Sequence, residues 1–266
     1  MTVKHHASLD DIRTGLIRVL ESDANRKRLL VEGGAGYILF GTSPGSRGSR
    51  LQGQAAGGRH LEEGFRVSPQ SAQKLGDAGL RQRRASKNYV GVVDLEAPGA
   101  VDLWTGRTVE LLKEVYGADP EALTLSFRSE EQPVLNNQQL LDAMDTLAKK
   151  RDWASRTQVY MCLIQAQLVV ALAEPHHGPF TSTTVLHEAD TMAGLPVFAV
   201  FPDVDALDHY EPRGLDLAVL SGQELFPLLE ARKLGSVLIN PRGAPRGELY
   251  TNELWTIVQG IQRLAH

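Results

Sequence analysis

The sequence predicts an α+β protein, mixed α/β within each half, built as two domains that are each a small sheet packed with helices. Apolar runs of strand length alternate with stretches of helical period along the chain, the pattern of layered α and β structure. At 266 residues, 42% hydrophobic and 23% charged, the chain is longer than most single cores. Between Asp119 and Asn137 the text DPEALTLSFRSEEQPVLNN holds little helical period until Gln138. The boundary is therefore set in its middle, with residues 1–129 as the first domain and 130–266 as the second.

The first helix is signalled by Ser8 as a cap, Asp10 and Asp11 in the first turn, then Ile12, Leu16, Val19 and Leu20 at helical spacing. GYILFG reads as a buried strand. The following GTSPGSRGSRLQGQAAGG is so rich in Gly and Ser that it predicts a mobile hairpin or long surface loop. Ser68-Pro69 opens a helix through Gln73 and Leu75 that breaks near Gly79, and NYVGVVDLE alternates like a strand. Asp102 to Tyr116 is helical, with Val109, Leu112 and Tyr116 on one stripe and Gly117 as its stop.

In the second half, Leu140, Leu141, Met144 and Leu147 mark one helix, and a longer one from Arg156 carries Tyr160, Leu163 and Ile164 into a strand, QLVVALAE. Three more strands are predicted at TTVLHE, LPVFAVF and LDLAVLSG. A helix over GQELFPLLEARKLG, a strand at SVLINP and a closing helix over NELWTIVQGIQRLA complete the chain.

A net charge of −4 and a single cysteine, Cys162, exclude a disulfide scaffold and a four-cysteine zinc site and favour a reducing compartment, so a cytoplasmic protein is expected. No apolar run approaches the roughly 18 residues of a membrane span, so no membrane partner is expected. His5 and His6 read as a frayed tail.

Gly41-Thr42-Ser43-Pro44-Gly45 has the spelling of a nucleophile elbow, but the residue after the serine must donate its N–H to an oxyanion, and Pro44 has none. The reading is a turn. No Gly-Lys dipeptide exists for a Walker loop, and Gly34-Ala35-Gly36 has Leu39 where a dinucleotide fingerprint needs its third glycine. Asp203, Asp205 and Asp208 lack the glycine of a calcium loop and suit a helix cap. His176, His177 and His187, with Glu174, Glu188 and Asp190 nearby, show no paired spacing for a metal, and Cys162 sits among apolar residues. No catalytic residue, cofactor or metal site is assigned, and the chain is not expected to be an enzyme.

From Arg47 to Tyr89 there are nine basic and three acidic residues in an otherwise acidic chain. Such a segment is a solvated face, or meets an acidic partner or nucleic acid; Phe65 and Tyr89 alone give bases little to stack on, so nucleic acid is not the expected partner. Arg81, Arg83 and Arg84 are its densest part and are candidate partner-binding residues. At Asn240-Pro241 the proline ends a strand and the asparagine amide can bond back to the local backbone, which predicts a corner. Arg242 and Arg246 on that loop are a second candidate recognition rim.

LPVFAVFPDVDAL (Leu195–Leu207), LSGQELFPLLEARKLGSVLINPRG (Leu220–Gly243) and the closing helix resemble, in their order, the SseB family over about Asn137–His266. One departure is Ala199, where the family carries threonine or serine. The first half, in GRHLEEGFRVSPQSAQKLGDAGL, NYVGVVDL and TGRTVELLKEVYGADPEAL, resembles TY-Chap domains, which are similar to YbjN-type and type III secretion chaperone-like folds. The resemblance implies protein-binding modules without catalytic residues, with a homodimer as the oligomeric state to test. The expected function is non-enzymatic binding of another protein in a chaperone or adaptor role, with secretion as a candidate setting. The rival is a small-molecule sensor or enzyme linked to serine metabolism.

Overall fold

Leu9–Glu21 forms α1 because Ser8 closes a capping box: its hydroxyl accepts from Asp11 N–H at 3.2 Å, and the Asp11 carboxylate accepts from Ser8 N–H at 2.9 Å. Ile12, Leu16 and Val19 are its buried stripe. The computed structural model describes residues 5–24, 26–42, 50–84, 87–131, 134–174, 176, 178 and 180–264. The chain divides into two compact units, residues 1–132 and 133–266, each with its own sheet.

In the first unit the strands are β1 (His5–His6), β2 (Arg26–Gly33), β3 (Gly36–Thr42), β4 (Arg50–Ala55), β5 (Arg81–Gln82), β6 (Tyr89–Asp94) and β7 (Thr124–Glu130). They form a seven-stranded antiparallel sheet in the order β1-β7-β2-β3-β4-β6-β5. α1, α2 (Pro69–Asp77) and α3 (Ala100–Tyr116) complete the unit. Leu29 and Phe40 are cross-strand partners on the helix-facing side, where Phe40 meets Trp104 of α3 edge-on at 5.7 Å. The β2–β3 turn is pinned to the end of α3, since Ala35 N–H donates to the Tyr116 carbonyl at 2.9 Å. Gly34 there has φ +56°, and a Cβ would lie 2.2 Å from the same carbonyl oxygen, so glycine is required twice over.

Four segments of the first unit differ from expectation. His5 and His6 are not a frayed tail: their backbone pairs as β1 with Leu125 and Thr124 of β7. Arg50–Ala55 is not loop but an interior strand, β4, while residues 43–49, including Ser43 and Pro44, lie outside the described residues. Its glycine is structural: Gly53 faces Gly91 across the ladder, and the Gly79 carbonyl occupies the space 2.3 Å from where a Cβ at Gly91 would be. Nothing in RKRLLVEG announces β2, because its three leading cations mask the alternation, yet Arg26, Lys27 and Arg28 are buried and Lys27 Nζ donates to the Ser22 carbonyl at 2.6 Å. Thr124–Glu130, inside the expected linker, is β7, paired with β1 and β2.

The second unit contains α4 (Gln138–Lys150), α5 (Trp153–Gln165), β8 (Gln167–Leu172), β9 (Glu188–Met192), β10 (Leu195–Phe201), α6 (Val204–Tyr210), β11 (Asp216–Ser221), α7 (Gly222–Glu230), β12 (Ser236–Ile239), β13 (Gly247–Tyr250) and α8 (Thr251–Leu264). The strand order is β11-β8-β10-β12-β13, with β9 also on β10; β10 and β12 are parallel and the other pairs antiparallel. Alternation along the strands splits the core. Leu168, Val170, Phe198, Val200, Val237 and Ile239 pack with α4, α5, α7 and α8, whereas Val169, Ala171, Ala199 and Phe201 pack with α6. TTVLHE is not a strand, apart from one bridge between Leu186 and Leu172. The strand there is the more polar β9, joined to β10 through Ala193 and Gly194 at φ +52° and +78°, as a two-residue hairpin turn requires.

Candidate functional site

The densest basic feature is the β5–β6 hairpin. α2 ends before Gly79 at φ +83°, Leu80 is buried, and Arg81 and Gln82 pair with Val90 and Tyr89. Arg83 N–H donates to the Asn88 carbonyl at 2.8 Å, and Lys87 N–H to the Arg83 carbonyl at 2.9 Å, with Lys87 itself at φ +63°. Asn88 ties this hairpin to the core. Its Oδ1 accepts from Gly57 N–H at 2.9 Å and its Nδ2 donates to the Tyr37 hydroxyl at 3.2 Å, which also accepts from Gln54 Nε2 at 3.1 Å. Arg81, Arg83, Arg84 and Lys87 all project to solvent, and none forms an ion pair among the described residues. Tyr89 is buried and its phenol pKa is raised by that burial, so no aromatic face of this hairpin is presented for stacking.

Asn240 forms the second feature. It sits buried at φ +51°, its N–H donates to the Val200 carbonyl at 2.9 Å, and its Nδ2 donates to the Pro245 carbonyl at 2.9 Å. A Cβ on Gly243 would lie 2.1 Å from the same amide. The loop is a corner closed by its own side chain, leading β12 into β13. Arg242 and Arg246 are exposed on it, and Arg242 already takes part in an interaction. The two arginine groups belong to different units, the hairpin to the first and the loop to the second.

Of the aspartates read as a helix cap, Asp203 does that work at α6, accepting from Ala206 N–H at 2.7 Å. Among the described residues no group of three His, Cys, Asp or Glu side chains could hold a metal ion, and no helix is long and apolar enough to cross a membrane. Cys162 is buried, its sulfur 3.5 Å from Gln158 Nε2 and 3.8 Å from the Gln139 carbonyl. Both glutamines line a groove of about 460 Å³ between α4 and α5, together with Asp142, Thr146 and Ser155. Periodicity marks these helices but not a groove, because it does not tell how far apart two helices stand.

Glu253 was equally silent in the sequence. Its Oε1 accepts from the Tyr160 hydroxyl at 2.7 Å and from Arg156 Nη1 at 2.9 Å, and its Oε2 from Tyr250 N–H at 3.2 Å, which clamps α8 to α5. The Tyr160 pKa is pushed up to about 12, by burial first and then by the hydrogen bond and charge of Glu253. A phenol raised in the folded state adds stability that is complete below the unfolded value of about 10 and is lost as pH rises through the folded value. Between pH 10 and 12, the stability advantage of the parent chain over Tyr160→Phe should therefore shrink by about 1–2 kcal/mol after allowance for solvent screening, read from urea unfolding at each pH. An advantage that stays constant across that window would remove the role given to this phenol.

No protein-family model, curated protein or solved structure matches the chain.

Proposed function

We propose that this chain is a non-enzymatic protein-binding protein, chaperone-like or adaptor in role, whose first unit takes an acidic segment of another polypeptide on the β5–β6 hairpin. The observation that supports this reading is the set of four exposed cations, Arg81, Arg83, Arg84 and Lys87, on one short hairpin without an ion pair among the described residues. Each guanidinium presents a planar fork that matches a carboxylate and loses less freedom per hydrogen bond formed than a lysine ammonium does. Nucleic acid suits the hairpin less well, since its one aromatic residue, Tyr89, is turned into the core. In the second unit, the succession of β10, α6, β11, α7, β12 and the Asn240 corner is the order of pieces on which the resemblance to the SseB family rests. The single buried thiol, Cys162, supports a reducing compartment, the cytoplasm. For the rival small-molecule sensor, the groove between α4 and α5 offers amides, hydroxyls and Asp142 that suit a polar solute.

The test is fluorescence anisotropy with a labelled Glu-rich peptide at low salt, with duplex DNA of matched charge as comparator. The parent chain should bind the peptide, and the double charge reversal Arg83→Glu, Arg84→Glu should weaken it by roughly tenfold, with the loss shrinking as salt screens the pairs. Equal affinity in parent and variant would sink the assignment. Tighter capture of the DNA would transfer the hairpin to nucleic acid.

A further inference from the structure

We propose that β11 is a homodimerisation edge: two copies of this chain pair their β11 strands antiparallel about a two-fold axis through Val219, continuing one sheet into the next. A sheet edge is a row of main-chain donors and acceptors ready for another strand, and proteins blunt such edges with short strands, charges or bulges. The other edges here are blunted. β1 and β5 are two residues each, and β5 carries Arg81. β13 is four residues and carries Glu248, while β9 carries Glu188 and Asp190 and shifts register against β10 at Val197/Phe198. β11 has no bulge and is not short, and its one charge is Asp216 at its first position, which already takes part in an interaction. It closes the second sheet, runs six residues in unbroken register against β8, and has Leu217, Ala218, Val219 and Leu220 in succession with no Lys, Arg or Pro.

Side-chain alternation selects both the occupant and its register. Ala218 and Leu220 face the layer of α4, α5, α7 and α8, whereas Leu217 and Val219 face α6. A two-fold that keeps both layers continuous must pass through a residue, because an axis between Ala218 and Val219 would set Leu217 against Leu220, which point to opposite faces. An axis through Ala218 sets the Asp216 carboxylate against Leu220. An axis through Val219 instead pairs Val219 with itself, Ala218 with Leu220 and Leu217 with Ser221, and it places Asp216 across from Gly222, the first residue of the other copy's α7, where the helix dipole favours a carboxylate. The strand is thus complementary to itself, as a symmetric interface demands, and this is what favours a second copy over an unrelated extended peptide. The inference is independent of the arginine hairpin.

Sedimentation equilibrium of the full chain should show the apparent mass rising from 29.1 kDa toward twice that value with concentration. The rise should fall within about 1–300 μM, as suits an edge contact smaller than a standard interface. Under mild oxidation Val219→Cys should form a linked dimer roughly tenfold faster than Ala218→Cys, whose sulfur would face Leu220 instead of its own copy. The parent chain, with Cys162 buried, sets the background. In the unmodified chain, hydrogen exchange of the Leu217–Ser221 amides should slow over the same concentration range, a readout that needs no variant to fold. A mass fixed at 29.1 kDa overturns the proposal. So does a dimer whose β11 amides stay unprotected, or one in which Val219→Cys links no faster than Ala218→Cys.

Discussion

Gly222→Ala should destabilise the second unit by about 3 kcal/mol, lowering its melting temperature by roughly 10 °C, although helix propensity taken alone favours alanine by about 1 kcal/mol. Gly222 opens α7 against the last turn of α5. Its N–H donates to the Ala166 carbonyl at 2.9 Å. A Cβ there would lie 1.9 Å from the Leu163 carbonyl oxygen, 2.9 Å from its carbon and 3.0 Å from Ile164 Cα, all of them backbone atoms. No rotamer change relieves that overlap, so α7 must move away from α5 and take Leu225 and Phe226, both fully buried, with it. Thermal and urea unfolding of the variant measure the effect. A variant within 1 kcal/mol of the parent would show that the two helices do not approach as described.

Phe40→Ala should cost the first unit about 3–5 kcal/mol, a large share of the 5–15 kcal/mol typical of a whole domain. Phe40 is fully buried between Leu29 and Gly53 on its neighbouring strands and meets Trp104 edge-on. The cost combines the lost burial with the cavity left opposite Gly53, and how far Val93 and Leu80 above that glycine relax into it sets the position within the range. Trp104 is buried beside it, whereas Trp153 and Trp255, both in the second unit, are exposed. Tryptophan emission followed through a urea titration should therefore report the lost packing. An unfolding midpoint that does not move would overturn this account of the core.

The segments read correctly from sequence share one property, that their cause lies within a few residues. Ser8 with Asp11, Ser68 with Pro69, Asp203 with Ala206 and Ser221 with Glu224 are helix starts made of groups three residues apart or closer. Gly117 at φ +68° ends α3 in the same local way. The misread segments depend on partners far along the chain. Gly53 reads as a loop residue until Val93 and Leu80 are seen to fill its space, and the cations that open β2 read as surface until the fold buries them. Of the candidate sites, the run of arginines at 81–84 and the Asn240 corner were visible in the text. The open edge of β11 was not, because LDLAVLSG looks the same as an interior or an edge strand.

The amino-acid order by itself determined the α+β class, several helix starts and the apolar stripes of α1, α3 and α4, since these follow from caps, periodicity and the dihedral limits of glycine and proline. Tertiary structure alone decided which strand ends a sheet, which glycines face a carbonyl, and which carboxylate, Glu253 of α8, joins three groups from one other helix and a strand. The physical reason is range: caps and periodicity act across one or two turns of chain, whereas hydrogen-bond partners and steric clearance are set by residues that only folding brings together.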